Sequence, residues 1–171
     1  MRVHGRAELC SRTADGREMN AQLRRITTLD EALSMAPAID AYAAQAMAEF
    51  LDGPLPEGIS RRFFKRHFEA GETVLLVAES ARGKADLGVC VTGPFEDPLL
   101  AMRVPMILIL FVSPDVRHRG LAHAMVEAVS ETLLERGHAT IAARAGHNDD
   151  ALISMGERWG FVRAWELMIK E

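Results

Sequence analysis

The sequence is short of tyrosine, tryptophan and cysteine. Its 171 residues include one tyrosine, two tryptophans and two cysteines. The cysteines, Cys10 and Cys90, are far apart and form neither a CxxC pair nor the spacing of a zinc site, so no metal is expected. So few cysteines also exclude a disulfide framework, and we expect two free thiols in a reducing compartment.

Positive charge and long apolar runs are also missing. The formal net charge is -4 at pH 7, which excludes the global basic field that a nucleic acid partner requires. The strongest apolar run, residues 106–112, is far shorter than the ~20 residues of a membrane-spanning helix. Arg2 and Arg6 are not followed by an apolar stretch, as they would be in a secretory signal. The sequence therefore predicts no nucleic acid or membrane partner and a cytoplasmic location.

Length and composition predict one domain with a short appendage. Apolar residues make up 49% of the chain, which is enough for one sizeable core. Residues 1–18 are polar and charged without a convincing helical or strand period, and Asp15-Gly16 marks a turn. We therefore expect an N-terminal extension over residues 1–18 and one folded domain over residues 19–171.

The patterns that follow predict alternating strands and helices. Strands are expected over residues 22–27, 73–79, 86–92, 104–112, 140–144 and 161–170. Helices are expected over residues 31–50, 60–70, 120–136 and 149–159. Pro37 divides or kinks the first helix, a turn lies at Arg82-Gly83, and a loop with Pro94 and Pro98 precedes the strand at 104–112. That strand lacks alternation, which indicates burial on both faces and a central position. The order predicts a mixed α/β domain with helices on the faces of one sheet.

The clearest chemistry lies at the junction between the strand at 104–112 and the helix at 120–136. The first amides of a helix lack internal partners and point outward at the positive end of the helix dipole, an arrangement that binds phosphate. Gly120 allows close approach to the backbone, and Ala122 keeps the next position small. The loop adds positive charge from Arg117, His118 and Arg119. The spacing alone fits an ordinary junction with solvated arginines equally well.

Two motifs flank this junction, and a third follows later. They are Phe111-Val112-Ser113-Pro114, Arg117-His118-Arg119-Gly120-Leu121-Ala122 and Trp159-Gly160-Phe161. Together they resemble the acetyl-CoA-binding core of the GNAT N-acetyltransferase superfamily. That family ends a central strand in an apolar-Val-x-Pro segment, continues with Arg/Gln-x-x-Gly-x-Gly/Ala at the start of a long helix, and ends a later helix in Gly-Phe. The resemblance covers residues 21–171 and is strongest over residues 106–161.

The resemblance implies a GNAT-like fold and acetyl-CoA as co-substrate. The fold has one mixed central sheet of about six or seven strands with helices on both faces. The strand backbone is expected to hold the pantetheine arm, and the amides of the loop and helix start the pyrophosphate. The implied coenzyme-binding residues are Leu110, Phe111, Val112, Arg117, His118, Arg119, Gly120, Leu121, Ala122, His123 and Asn148. Alignment from Gly160-Phe161 places Asp149 at the family's asparagine position, whereas a one-residue insertion restores Asn148; both stay open.

The family's usual acid and base are absent from their expected positions. Many members protonate the leaving thiolate from a tyrosine at the position of Gly156, and many carry an acidic residue on the central strand near Ile109. The remaining candidates for proton transfer, besides water, are Glu79, Glu69, His147 and Ser154. For Glu79 a strand-end surface charge is the favoured interpretation, and for His147 a loop position beside a helix cap.

The sequence therefore predicts an enzyme that transfers an acetyl group from acetyl-CoA to a primary amine of a small molecule or peptide by direct attack. A homodimer is common in the family. The alternative is a catalytically weak or inactive acyl-CoA-binding sensor module of the same fold. A nucleotide-binding domain is disfavoured because neither GxxxxGK nor GxGxxG occurs at a strand–helix junction. The region of the family's acceptor site carries three phenylalanines that are expected to pack in the core, Phe63, Phe64 and Phe68.

Overall fold

The sheet is the frame on which the other elements pack. The structure is a computed structural model that describes residues 7–12, 18–47, 54–80, 87–97, 101–145 and 150–164. Within these ranges six strands form one mixed sheet in chain order. The strands are β1 (Ala7–Arg12), β2 (Glu18–Ile26), β3 (Leu75–Glu79), β4 (Gly88–Asp97), β5 (Met102–Val112) and β6 (Ala142–Ala143). Strands β1 to β5 pair antiparallel, and β6 pairs parallel with β5.

Helices cover both faces of this sheet. In the described part of the chain they are α1 (Leu29–Met47), α2 (Ile59–His67), α3 (Leu121–Glu135) and α4 (Asp150–Arg158). One apolar cluster joins α1 and α2 to sheet residues such as Val77 and Phe111. A second cluster joins α3 to the opposite face at residues such as Leu76 and Ala78. The predicted mixed α/β fold, with helices on both faces of one sheet, is confirmed.

Helix α1 runs through Pro37 without interruption. Its side chains at Ala32, Ala36 and Ile39 are at most 1% exposed and form a stripe with helical spacing that packs against the sheet. Pro37 lies on the exposed side. Packing of one apolar face supplies most of a helix's stability in a protein, so the helix tolerates the missing N–H. Of the two predicted alternatives, two short helices are therefore wrong.

Helix α3 has the predicted amphipathic pattern. Leu121, Met125, Val129 and Leu133 are each at most 2% exposed and face the sheet. The helix is preceded by a glycine at φ 78° and ends before Gly137 at φ 90°. Both glycines have the left-handed backbone that non-glycine residues adopt at a cost. The sequence prediction of this helix is confirmed.

The N-terminal region contains a strand that the sequence analysis did not predict. Strand β1 pairs with β2 from Ala7↔Leu23 to Arg12↔Glu18. The expectation that residues 1–18 have no strand is therefore wrong. Pairing at a sheet edge is made by backbone hydrogen bonds, so the strand did not need the apolar alternation that the analysis sought. The division into an extension over 1–18 and a domain over 19–171 stays a prediction.

Strand β4 is longer than predicted, and other expectations lie outside the described residues. Pro94 was expected in a loop, but it lies inside β4 opposite Pro105. Strand β4 pairs with β3 only over residues 88–91. At Pro94 the side of β4 that faces away from β5 therefore has no strand partner among the described residues, and the missing N–H of proline is tolerated there. The turn at Arg82-Gly83, Pro98 and the segment 165–171 of the last predicted strand are not among the described residues, and residues 161–164 carry no strand.

Candidate active site

A bulge in β5 lies next to the point where the pairing of that strand with β6 ends. Val91 pairs with Ile109 and Thr92 with Ile107, so Leu108 is an extra residue on β5. A bulge bends its strand and interrupts regular pairing. The recorded pairing with β6 stops at Ile107, one residue before the bulge. Within the described residues, the end of β5 beyond Ile107 therefore has β4 on one side and no strand on the other.

The register decides which backbone groups face this open edge. Ser113 N–H donates to Leu87 C=O at 2.9 Å. Backbone groups of an antiparallel strand point alternately toward and away from the partner. Those of Phe111 therefore point toward β4, and those of Leu110 and Val112 point toward the open edge. This corrects the expectation for Phe111, whose backbone is paired with Val89 in the sheet.

The loop after β5 has an unusual backbone. A short 3₁₀ helix over Pro114–Val116, which the sequence analysis did not predict, leads into the turn. His118 follows at φ 60° and Gly120 at φ 78°, both left-handed. A non-glycine residue in this region costs about 1–2 kcal/mol, so His118 holds its conformation against a local preference. No atom lies within 4 Å of the point where a Gly120 Cβ would stand, so the space in front of this residue is open.

Among the described residues, the consecutive amides between the 3₁₀ helix and the first turn of α3 have no acceptor. Arg117 N–H donates to Pro114 C=O at 3.4 Å, and the next bonded amide is that of Ala124, which donates to Gly120 C=O at 3.0 Å. Within the described part of the chain, no acceptor is found for the N–H groups of residues 118–123. Free amides at a helix start form an anion site, which the helix dipole reinforces.

The side chains of this loop differ in placement. Arg117 Nε donates to the C=O of Val112 at 3.1 Å, which ties the loop to the open edge of β5. The side chains of His118 and Arg119 are exposed. The His123 ring lies 5.4 Å from the Trp159 ring, and its Nε2 is 3.7 Å from Glu127 Oε1. The imidazole therefore packs on the surface of α3, and the backbone N–H of His123 is the group that faces an anion at the helix start.

Glu79 has a structural partner. Its side chain is 7% exposed, and Arg24 Nε donates to Glu79 Oε1 at 2.7 Å. Arg24 also contacts Glu31 Oε1 at 2.5 Å. The expectation of a strand-end surface charge is wrong, because the carboxylate is buried under α1 and ion-paired. A role for Glu79 in proton transfer stays a prediction.

Ser154 and Gly156, two further positions from the sequence analysis, lie on α4. Ser154 is exposed on that helix. Gly156 is half-buried, and its C=O accepts from Trp159 N–H at 2.9 Å and Phe161 N–H at 3.0 Å. The positions of His147, Asn148 and Asp149 lie outside the described residues.

Phe63 lies at the bulge, which the sequence analysis missed. A Cβ added to Gly93 would stand 2.6 Å from Phe63 Cζ and 2.8 Å from Leu108 Cδ1. The side chains of Phe63 on α2 and Leu108 in the bulge therefore both pack directly on Gly93. A side chain at Gly93 would clash with both of them. The half-buried Phe63 also lies 5.2 Å from the His67 ring. The one signal of this contact in the sequence is Gly93 itself, because a glycine inside a strand often marks a close approach of another group.

Two further features concern metals and membranes. Among the residues that the structure describes, no three His, Cys, Asp or Glu side chains are grouped to hold a metal ion. None of the helices in those ranges is both long and apolar enough to cross a membrane.

Comparisons with known proteins identify the fold. The family model described as FR47-like protein matches residues 87–168, and no curated protein sequence matches the chain. A ribosomal-protein-alanine N-acetyltransferase from Brucella melitensis biovar Abortus 2308 is 16% identical with a TM-score of 0.59, covering 88% of this chain and 98% of that one. A predicted acetyltransferase with acetyl-CoA from Clostridium acetobutylicum is 14% identical with a TM-score of 0.67, covering 88% and 96%.

An aminoglycoside 6'-N-acetyltransferase from Acinetobacter baumannii is 14% identical with a TM-score of 0.65, covering 88% of this chain and 97% of that one. At these identities the structural likeness establishes the fold. The family model independently matches the part of the chain that contains the bulge, the loop and α3. The chain therefore has the fold of these N-acetyltransferases, and its residues 87–168 are similar to the FR47-like family.

Proposed function

We propose that this protein is an N-acyltransferase that transfers an acetyl group from acetyl-CoA to a primary amine by direct attack. The observation that carries the proposal is the run of unpaired amides at residues 118–123, next to the open edge of β5. A diphosphate supplies several anionic oxygens, which such a run of N–H donors accommodates. The Clostridium structure, which contains acetyl-CoA in the same fold, is consistent with this co-substrate.

The chain has suitable groups for each part of the coenzyme. The pyrophosphate would accept from the amides of residues 118–123, with Arg119 near enough in sequence to add charge. The amide-containing pantetheine arm would pair with the backbone of Leu110 and Val112, as a further strand would. Val112 C=O already accepts from Arg117 Nε, but a carbonyl oxygen has two lone pairs and can accept a second N–H.

The chemistry needs orientation more than a dedicated acid. The neutral amine nitrogen attacks the thioester carbonyl carbon, the C–S bond breaks, and the amine's proton leaves as the thiolate gains one. Leu110 N–H is the first backbone donor facing the open edge after the bulge, and it would stabilise the oxyanion. Because Gly156 replaces the usual tyrosine, we propose that water delivers the proton to the thiolate, with the rate gained from positioning.

The acceptor would approach from the α2 side of the bulge. Phe63 and Leu108 meet there over Gly93, so this wall is apolar. The solved relatives include enzymes named for a ribosomal protein and for aminoglycosides. We accordingly propose a primary amine of a small molecule or of a peptide as the acceptor. A homodimer and a cytoplasmic location stay predictions.

Two measurements test the proposal separately. Calorimetry with acetyl-CoA tests the coenzyme site, and we expect saturable binding with a Kd of about 1–100 µM. Release of the CoA thiol, followed across a panel of small amines, polyamines, aminoglycosides and peptide N-termini, tests transfer. Absence of acetyl-CoA binding would overturn the whole proposal. Binding without thiol release for every amine class would overturn the enzymatic part and leave a binding module.

A further inference from the structure

A second cleft lies at the end of α3 remote from the proposed coenzyme site. It has a volume of about 310 Å³ and lies between the end of β2, the turn that follows α2, and Arg136. Gly120 and Arg136 flank α3, so the two sites are about 24 Å apart along the helix. The cleft therefore does not belong to the proposed active site.

Two arginines, Arg25 and Arg136, line this cleft together with one acid, Glu69. Arg136 Nη1 donates to the carbonyls of Gly71 at 3.0 Å and Thr73 at 2.8 Å. These bonds fix the guanidinium and leave its Nε and Nη2 without an acceptor in the described part of the chain. Both arginines line the same cleft, and burial, followed by the charge of Arg25, lowers the pKa of Arg136. Arg25 is exposed and pairs with no carboxylate among the described residues.

Thr73 is a buried residue in the wall of this cleft. It is only 4% exposed, and its Oγ1 has no hydrogen-bond partner among the described residues. That atom is itself inaccessible from the cleft, so the charge of the two arginines, and not Thr73, is what a ligand in the cleft would meet. The other walls include the apolar side chains of Ile26 and Phe68.

We propose that this cleft binds a small carboxylate with an apolar body, the carboxylate lying against Arg25 and Arg136 and the body against the half-buried Phe68. Guanidinium groups match the planar carboxylate with paired N–H donors. A tetrahedral inorganic phosphate would satisfy the charge, but it would leave the apolar walls uncovered. Glu69, the acid that also lines the cleft, disfavours any anion, and its removal therefore has an effect of opposite sign to that of removing Arg25.

The test uses 4-methylpentanoate and inorganic phosphate as probes in calorimetry, with thermal unfolding as a second readout. We expect 4-methylpentanoate to bind saturably with a Kd of about 1 mM or tighter and to raise the Tm by mass action. Arg25→Gln should weaken this binding about tenfold, which corresponds to one charge-assisted contact. Glu69→Gln should tighten it. Arg61→Gln, which removes an exposed arginine of α2 outside the cleft, should change nothing.

Arg25 is chosen for substitution because it is exposed. Substitution of Arg136 would also remove its hydrogen bonds to the carbonyls of Gly71 and Thr73. Absence of saturable binding of 4-methylpentanoate would overturn the proposal. An affinity unchanged by Arg25→Gln, or preferential binding of phosphate, would overturn it as well. Because neither probe nor variant involves residues 118–123, failure here leaves the acetyl-CoA proposal untouched, and the converse also holds.

Discussion

The ring of Tyr42 on α1 stacks on the ring of Phe111 on β5, with centroids 4.5 Å apart and planes 14° from parallel. Phe111 stands between Leu110 and Val112, whose backbone groups face the open edge of the sheet. The single tyrosine of the chain therefore supports, from the α1 side, the part of β5 on which the proposed pantetheine site is built. Tyr42 and Phe111 are far apart in the sequence, so no local pattern predicts this contact.

Replacing Tyr42 tests whether this stack holds β5 in place. Tyr42→Leu removes an aromatic partner of Phe111 and should lower the free energy of unfolding by about 1–2 kcal/mol. Tyr42→Phe keeps both rings and should lose less. Urea unfolding of the two variants and the wild type measures the difference. Equal losses from both substitutions would show that the ring stack is not the stabilising contact.

The two glycines that flank α3 offer a matched pair of substitutions. Gly120 and Gly137 have φ of 78° and 90°, and a Cβ at either would have no atom within 4 Å. Asparagine tolerates this backbone region better than other residues, so Gly120→Asn and Gly137→Asn should fold with similar small losses of stability. We expect Gly120→Asn alone to weaken acetyl-CoA binding, by about tenfold or ~1.4 kcal/mol, because its side chain projects in front of the free amides. Similar affinities for both variants would refute the assignment of the loop.

The Glu72–Arg103 pair makes stability depend on pH. Glu72 is 7% exposed, Arg103 Nε donates to its Oε1, and Arg103 Nη2 lies 3.1 Å from its Oε2. The hydrogen bond from Arg103 lowers the pKa of Glu72 below its ordinary 4.5. A lowered pKa gives stability that is present above pH 4.5 and is lost as the pH falls through the folded-state value.

Unfolding curves of Glu72→Gln between neutral and acid pH check this linkage. The variant should be less stable than the wild type at pH 7, and the two should converge as the pH falls through the lowered pKa of Glu72. Glu131→Gln, which changes an exposed residue of α3, should run parallel to the wild type. A difference between Glu72→Gln and wild type that stays constant down to acid pH would contradict the ion-pair account.

Cys90 should be inert in the folded protein. It is fully buried and unpaired, and burial raises the pKa of its thiol to about 12. At pH 8 the thiolate is then about one part in 10⁴, and the thiolate is the reactive form. In a Cys10→Ser background, a disulfide reagent should not label the native protein but should label one thiol in denaturant. Rapid stoichiometric labelling under native conditions would show that Cys90 is accessible.

Much of the architecture could be predicted from local patterns. The stripe from Leu121 to Leu133 predicted α3, and the continuous apolar run at residues 106–112 predicted β5, because each signal lies within one segment of the chain. The loop that we propose to bind phosphate was predicted from Arg117, Gly120 and Ala122. In the described part of the chain, the structure adds the open space in front of Gly120 and the run of amides without an acceptor.

The details that shape the site could not be predicted in this way. The bulge at Leu108 depends on how β5 pairs with β4, and no residue between 106 and 112 marks it in one sequence. The same register assigns the Phe111 backbone to β4, which reverses an expectation taken from adjacency along the chain. Glu79 appeared to be a surface charge because its partner Arg24 comes from another strand. Each of these errors concerns a contact between two different elements and not a pattern within one of them.

The central claim is that the amides of residues 118–123 bind the pyrophosphate of acetyl-CoA. A titration of ¹⁵N-labelled protein with acetyl-CoA, followed by amide chemical shifts, observes those groups directly. We predict large saturable shifts for residues 118–123 together with Leu110 and Val112, and small ones for residues 134–138 at the other end of α3. Binding that leaves the amides of residues 118–123 unshifted would contradict the account.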